Sequence, residues 1–235
     1  MLRNVAETRI AEPAAPSARE PGMMAGVLGP AVRATAVTLV LTGLAYPLVF
    51  TGVAKVVFPR RAEGSVVSDE RGRVVGSELI AQASANPAYF QPRPSAAGEK
   101  GYDPQASGGS NLGPTSKKLQ DQAAERLAAL GQANPDAAGA PPVELLTASG
   151  SGLDPHVSPA GALWQVPRVA RARGVAPERV RALVEENVEG RDLGVLGEPR
   201  VNVLLLNLAL DRRFGAAPAA PRSAAATTPP AGKTE

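Results

Sequence analysis

The stretch that decides the architecture is Ala34–Ala54, "ATAVTLVLTGLAYPLVFTGVA". It is 21 residues long and carries no charge. Wound as an α-helix it would extend about 31 Å, the thickness of a bilayer's hydrocarbon core. Arg33 and Lys55 bracket it, and Tyr46, Phe50 and Phe58 fall in its C-terminal half, where interfacial aromatics collect. Apolar residues and threonines occupy every helical face, which a helix half-buried in a soluble core would not show. The run is too long for a signal peptide's apolar region, and no Ala-x-Ala site follows it. It therefore reads as a retained single span, with Pro47 inside it expected to kink the helix.

The span divides the 235 residues into four parts. Residues 1–28 are rich in Ala, Pro, Glu and Arg without apolar periodicity and read as a disordered tail, as do residues 214–235. Residues 29–58 hold the transmembrane helix, and residues 59–213 read as a small α+β soluble domain. Its aromatic content is low, 3% of the chain, so Val, Leu and Ala must build the core. The net charge of +3 is spread out and lacks basic patches with interleaved aromatics, so nucleic acid is not an expected partner. The chain has no cysteine and a single histidine, His156, which removes thiol chemistry and leaves no metal-ligand spacing.

Within the domain, "SVVSDERGRVVGSELI" suggests two strands about a turn at Glu70-Arg71-Gly72, then a helix near 77–83. A long Gly/Pro-rich segment, Asn86–Pro114, follows; loops of this length are commonly functional. A helix is expected from Ser116 to Gly131, with Leu119, Leu127 and Leu130 on or near one face. A strand is expected at Val143–Thr147. Ser158 and Pro159 open a helix to Arg173, and Pro177 opens another to about Glu189. Val201–Leu205 reads as a buried strand. Strands and helices mix without regular alternation, which argues against a Rossmann fold.

Several motifs come near to chemistry. "GGSNLGPT", Gly108–Thr115, has the glycine spacing of a phosphate-binding loop, but Pro114 stands where that loop needs lysine. No strand precedes it, and Lys117 and Lys118 come too late. Its glycines, Gly113 included, are better read as sites of positive φ or of close approach. Ser149, Ser151, Asp154 and His156 crowd one loop and raise the competing possibility of a membrane-anchored serine hydrolase. The nucleophile-elbow pattern is missing, however, and a triad converges from separate elements. Arg168, Arg171 and Arg173 share a helix; a solvated face is the plainer reading, a phosphate or carboxylate site the alternative. Leu163 and Trp164 are expected in the core.

The segments "LTGLAYPL", "YFQPRPSA", "SGGSNLGP", "TASGSGLDPHVSPAGALWQVPRVARARGV" and "LGEPRVNVLLLNLAL" occur in an order that resembles the C subunit (KdpC) of the bacterial high-affinity potassium-transporting Kdp ATPase. The resemblance covers about Gly29 to Arg213. It implies a non-catalytic, single-span accessory subunit of the inner membrane. Its partners would be a potassium-channel-like subunit, a P-type ATPase subunit and membrane lipid. It implies a role in stabilising the complex and, as a catalytic chaperone, in raising the ATP affinity of the ATPase subunit. No cofactor would be bound permanently, with ATP joining only in a ternary complex, and Gln165 in "ALWQVPRVA" matches the glutamine implicated there. Ser107, Gly108, Gly109, Ser110, Asn111, Gly150 and Asp154 become the expected partner-docking residues. The resemblance also implies a periplasmic domain, against the local charge count: Lys55, Arg60, Arg61, Arg71 and Arg73 follow the span, whereas only Arg19 and Arg33 precede it closely.

Overall fold

The computed structural model describes residues 21–69 and 71–217, with side chains from residue 26 onward. The sequence's two tails therefore lie largely outside the described residues. The chain divides into two compact units at Ala62/Glu63.

In the first unit, one helix runs through the span in three phases. These are α1 (Pro21–Thr38), a π-helical segment (Leu39–Ala45) and α2 (Tyr46–Val57), followed by the short α3 (Pro59–Ala62). The stretch Gly26–Val57 is long and apolar enough to cross a membrane, with mean hydropathy 1.8 and none of its most apolar window buried. The helix thus begins well before Ala34, inside the segment expected to be tail. Pro47 explains the widened turn. Its nitrogen carries no hydrogen for Gly43, and its ring would crowd that carbonyl in a regular α-turn. Widening relieves both problems: Tyr46 N–H reaches back to Leu41 O, and Thr42 Oγ1 donates to Thr38 O at 2.8 Å. Tyr46 and Phe50 stack one turn apart, their ring centroids 4.3 Å from each other.

The second unit opens with the expected hairpin, β1 (Val66–Ser68) against β2 (Val74–Ser77), antiparallel. Gly72 (φ +74°) and the Asp69 carboxylate, which accepts from the Arg71 and Arg73 N–H groups, shape its turn. The helix expected near 77–83 does not form. Ser77 Oγ accepts from Leu79 N–H, and Ala81 N–H bonds Leu153 O, so these donors are drawn away from an i−4 ladder. Helix α4 (Lys117–Ala133) runs past Gly131 and stops at Asn134, whose backbone and side-chain N–H groups both bond Leu130 O. Leu127 points to solvent (44% exposed), leaving Leu119 and Leu130 to face inward.

The expected strand at Val143–Thr147 is a 3-10 turn, Val143–Leu145. Pro142 O and Val143 O accept from Leu145 and Leu146, and only Leu145 is buried. Strand β3 (His156–Val157) leads into α5 (Pro159–Arg173). Ser158 Oγ caps this helix by accepting from Gly161 N–H at 3.0 Å, and Gly174 closes it at φ +64°. Glu144 reaches over to receive both the N–H and the hydroxyl of Ser158, placing a carboxylate at a helix N-terminus. Then come α6 (Pro177–Glu186), β4 (Val188–Glu189), β5 (Arg200–Asn202) and α7 (Val203–Phe214). The strand expected at Val201–Leu205 is thus cut short. Asn202 caps a helix by accepting from Leu205 N–H, and Val203 and Leu206 enter the core from that helix. β3, β5 and β4 form an antiparallel sheet in that order. Against it α5, α6 and α7 bury Phe90, Trp164, Val166, Val169, Val180, Val184, Leu206 and Leu210. At the C-terminal end of α7, Phe214 packs on this core beneath the Arg179 guanidinium, 5.1 Å from its ring.

Candidate functional site

The motif residues gather in two places. The first is a strap, Asn86–Gln91, that belongs to no helix or strand. A buried backbone without a ladder must find partners elsewhere, and here side chains of α5 and α7 supply them. Gln165 receives the Gln91 N–H (2.8 Å) and donates to the Gln91 carbonyl (3.1 Å), as a neighbouring strand would. Asn207 does the same for Phe90, at 2.8 and 3.0 Å. Arg168 donates to the carbonyls of Pro87 and Tyr89, and Arg173 to that of Ala88. Tyr89 hydroxyl donates to Asp211, which also pairs with Arg173 at 2.8 Å, and the Arg173 guanidinium lies over the Tyr89 ring. Phe90, pinned between these bonds, is fully buried.

Gln165 is 1% exposed, and both its amide atoms are used: Nε2 also bonds Gly161 O, and Oε1 also accepts from Arg168. The Arg168–Arg171–Arg173 group is not a solvated face. Arg168 is 4% exposed, and the Arg173 side chain is 2% exposed against Asp211. Only Arg171 lies outside, paired with Asp136. Among the described residues Arg168 meets no carboxylate; besides its carbonyl contacts it donates to Asn134 Oδ1 at 2.8 Å. Burial, with the Arg171 charge adding to it, lowers its pKa to about 10, so it stays a cation at neutral pH. Burial, and secondarily the bond to Asp211, pushes the Tyr89 phenol up. A groove of about 460 Å³ runs beside the strap between Pro92, Pro94, Tyr102 and Leu130, with Gln91 and Arg168 at its floor.

The second place is a pair of interlocked loops. Gly108 N–H and Ser107 hydroxyl both bond Ser151 O, at 2.8 and 3.0 Å, and Ser95 hydroxyl bonds Gly152 O at 2.6 Å. A Cβ on Gly109 would lie 3.0 Å from Gly150 O. One on Gly152, at φ +68°, would lie 2.6 Å from Gly108 O. The two loops predicted separately are thus one structure, and glycine is needed where their backbones cross. Gly113 has open space and no positive φ; the left-handed residue of its loop is Asn111, at φ +52°. Ser110 and Asn111 remain exposed. Ser110 lines a polar cavity of about 450 Å³ together with Lys100, Lys118, Arg126 and Glu99, so a late lysine of the near-miss phosphate motif does return toward the loop.

Asp154 Oδ1 accepts from His156 N–H and lies 3.3 Å from His156 Nδ1, while Oδ2 lies 3.4 Å from Arg93. The His156 contact, assisted by Arg93, holds this carboxyl below the usual range despite partial burial. His156 is a strand residue, not a loop one. Among the described residues no hydrogen bond joins it to Ser149 or Ser151; Ser151 Oγ instead accepts from Leu153 N–H. The Asp–His pair therefore lacks its nucleophile, and the hydrolase reading is not favoured. Sequence reasoning missed Asn207 and Asp211. Their signal was a polar residue every fourth position in "NLALD", within an otherwise apolar helix.

A helix long and apolar enough to cross a membrane, followed by an α+β domain whose polar interior is spent on holding one strap and two loops, is the architecture of a single-pass membrane protein. The chain belongs to the KdpC family: the model of "K+-transporting ATPase, c chain" matches residues 28–212. It is 65% identical over 188 residues to the potassium-transporting ATPase KdpC subunit of Myxococcus xanthus, covering 80% of this chain and 89% of that one. It is 56% identical to the Rhodospirillum rubrum subunit of the same name (81% and 98% covered) and 50% identical to that of Geobacter sulfurreducens (78% and 96%).

Proposed function

We propose that the chain is a non-catalytic accessory subunit of an ATP-driven potassium pump. It stabilises the complex and raises the ATP affinity of the P-type ATPase subunit. The observation that carries this reading is the family match across both the span and the whole α+β domain. The interlocked loops fit it. Ser107, Gly108, Gly109 and Asp154 fix their shape from within, while Ser110, Asn111 and Gly150 stay outward as contacts for the channel-like subunit. The domain is placed in the periplasm on the ground that a large domain can translocate regardless of the flanking charge. Deletion of the chain is expected to abolish assembly or potassium-dependent ATPase activity; normal transport without it would overturn the reading. A reporter fused after Arg213 should signal from the periplasm.

ATP joins only transiently, in a ternary complex, and a direct contact with this chain requires the domain to face the cytoplasm instead, the outcome a cytoplasmic reporter signal would reveal. A contact through Gln165 would require its amide to leave Gln91, because both polar atoms are occupied. Gln165→Ala in the assembled pump separates two roles. A weaker apparent ATP affinity with assembly intact supports the nucleotide contact. Parallel loss of assembly and affinity assigns Gln165 to the strap alone.

A further inference from the structure

The connection between β4 and β5 ends in a firm, apolar tip. Leu193, Val195 and Leu196 are 90%, 73% and 59% exposed, three large apolar side chains within four positions. Soluble surfaces scatter such residues singly; a cluster at one tip marks a contact. The tip is held in shape. Asp192 N–H bonds Leu196 O at 2.8 Å, Leu196 N–H returns to Asp192 O at 2.9 Å, and Gly194 N–H bonds Arg191 O at 3.1 Å. Leu193 sits at φ +54°, a left-handed conformation that costs a branched apolar residue energy while exposing its side chain. Gly194 and Gly197, which follow it, also take positive φ. The rim is charged but paired within itself: Arg191 with Glu198 at 2.9 Å, and Arg200 with Glu189 at 3.0 Å and Asp192 at 3.6 Å.

The geometry points to a plug: the 192–196 tip inserts into an uncharged apolar pocket on another protein subunit of the potassium-transporting ATPase. The rim chemistry selects protein over lipid. Three acids face two arginines across it, and the tip carries neither lysine nor aromatic residue, so an anionic headgroup layer gains nothing there. A backbone already fixed in shape suits a matching cavity, where ordering costs on binding are saved. This rests on the subunit reading above and names a surface for it.

The chain's lack of cysteine makes the test direct. Leu193→Cys, carrying a photoactivatable benzophenone maleimide in the assembled full-length complex, should crosslink to another protein subunit, with the wild-type chain as background. Leu193→Asp with Leu196→Asp should lower co-purification of the other subunits roughly tenfold, the scale of a lost interface anchor. Thermal unfolding of the full-length variant on its own should stay where it was. Adducts with lipid alone, no adduct in a complex that has assembled, or wild-type co-purification of the double variant would each overturn the plug. If the wild-type chain itself fails to assemble with the pump, the subunit reading falls and takes the plug with it.

Discussion

The strap at 86–91 and the tip at 192–196 solve opposite problems. The strap has no regular structure yet is finished internally, since Gln165, Arg168, Arg173 and Asn207 answer its buried backbone. The tip has regular turns and paired charges yet leaves its apolar side chains in solvent. Regularity of backbone is therefore no guide to which region is complete. The balance of polar and apolar burial is. Disturbing the strap should cost the chain its own stability, and disturbing the tip should cost it only its company.

That contrast can be broken most forcefully at Arg168. Arg168→Met strips donors from the carbonyls of Pro87 and Tyr89 and from the amide oxygens of Asn134 and Gln165. A loss of about 3–5 kcal/mol is expected in denaturant unfolding of the full-length chain in detergent. A change below about 1 kcal/mol would show that the strap is held by something else. Gln165→Ala and Asn207→Ala each orphan one N–H and one carbonyl of the strap, and Gln165→Ala also removes an acceptor from Arg168; each should cost about 2–3 kcal/mol. Gly152→Ala, strained at φ +68° and pressed on Gly108 O, should cost about 2–3 kcal/mol. Its effect should also be felt as faster proteolysis near 107–111.

Asp154 offers a gentler probe. Its folded-state carboxyl is held below the ordinary value of 3.8, so the charged form stabilises the fold at neutral pH. That contribution is lost as the pH falls below 3.8 and the carboxylate takes up its proton. Asp154→Asn should therefore lower the neutral and alkaline plateau of the stability curve and leave its acid end nearly unchanged, flattening the limb between them. At the bottom of the scale, Leu193→Ser should change the unfolding free energy of the chain by less than about 0.5 kcal/mol, because so exposed a side chain makes few contacts.

Local signals in the sequence were read well where local chemistry decides. Ser158-Pro159 opens α5, which ends at Arg173, Gly72 sits in the hairpin turn, and the uncharged run forms the helix. The failures share a cause. Val143–Thr147 and Val201–Leu205 look like strands by composition, but Pro142 turns the chain before any pairing begins, and Asn202 ends the pairing of β5 by capping α7. Arginines spaced along α5 look solvated because nothing in the sequence says that a strap from about eighty positions away needs their donors. The glycines of the first loop were read as sites of close approach or positive φ, which holds for Gly109 and not for Gly113. Which backbone would approach was not legible, since Gly109 and Gly150 meet only after the chain has folded back.

The clamp also sets an order of events. Phe90 waits for Asn207, 117 positions later in synthesis, and Tyr89 waits for Asp211, 122 positions later. The strap is made early and cannot be tied until α7 has left the ribosome. The domain thus stays unfastened there until α7 is delivered. A chain stopped short of Asn207 would still own its hairpin and its span, but nothing to tie the strap with.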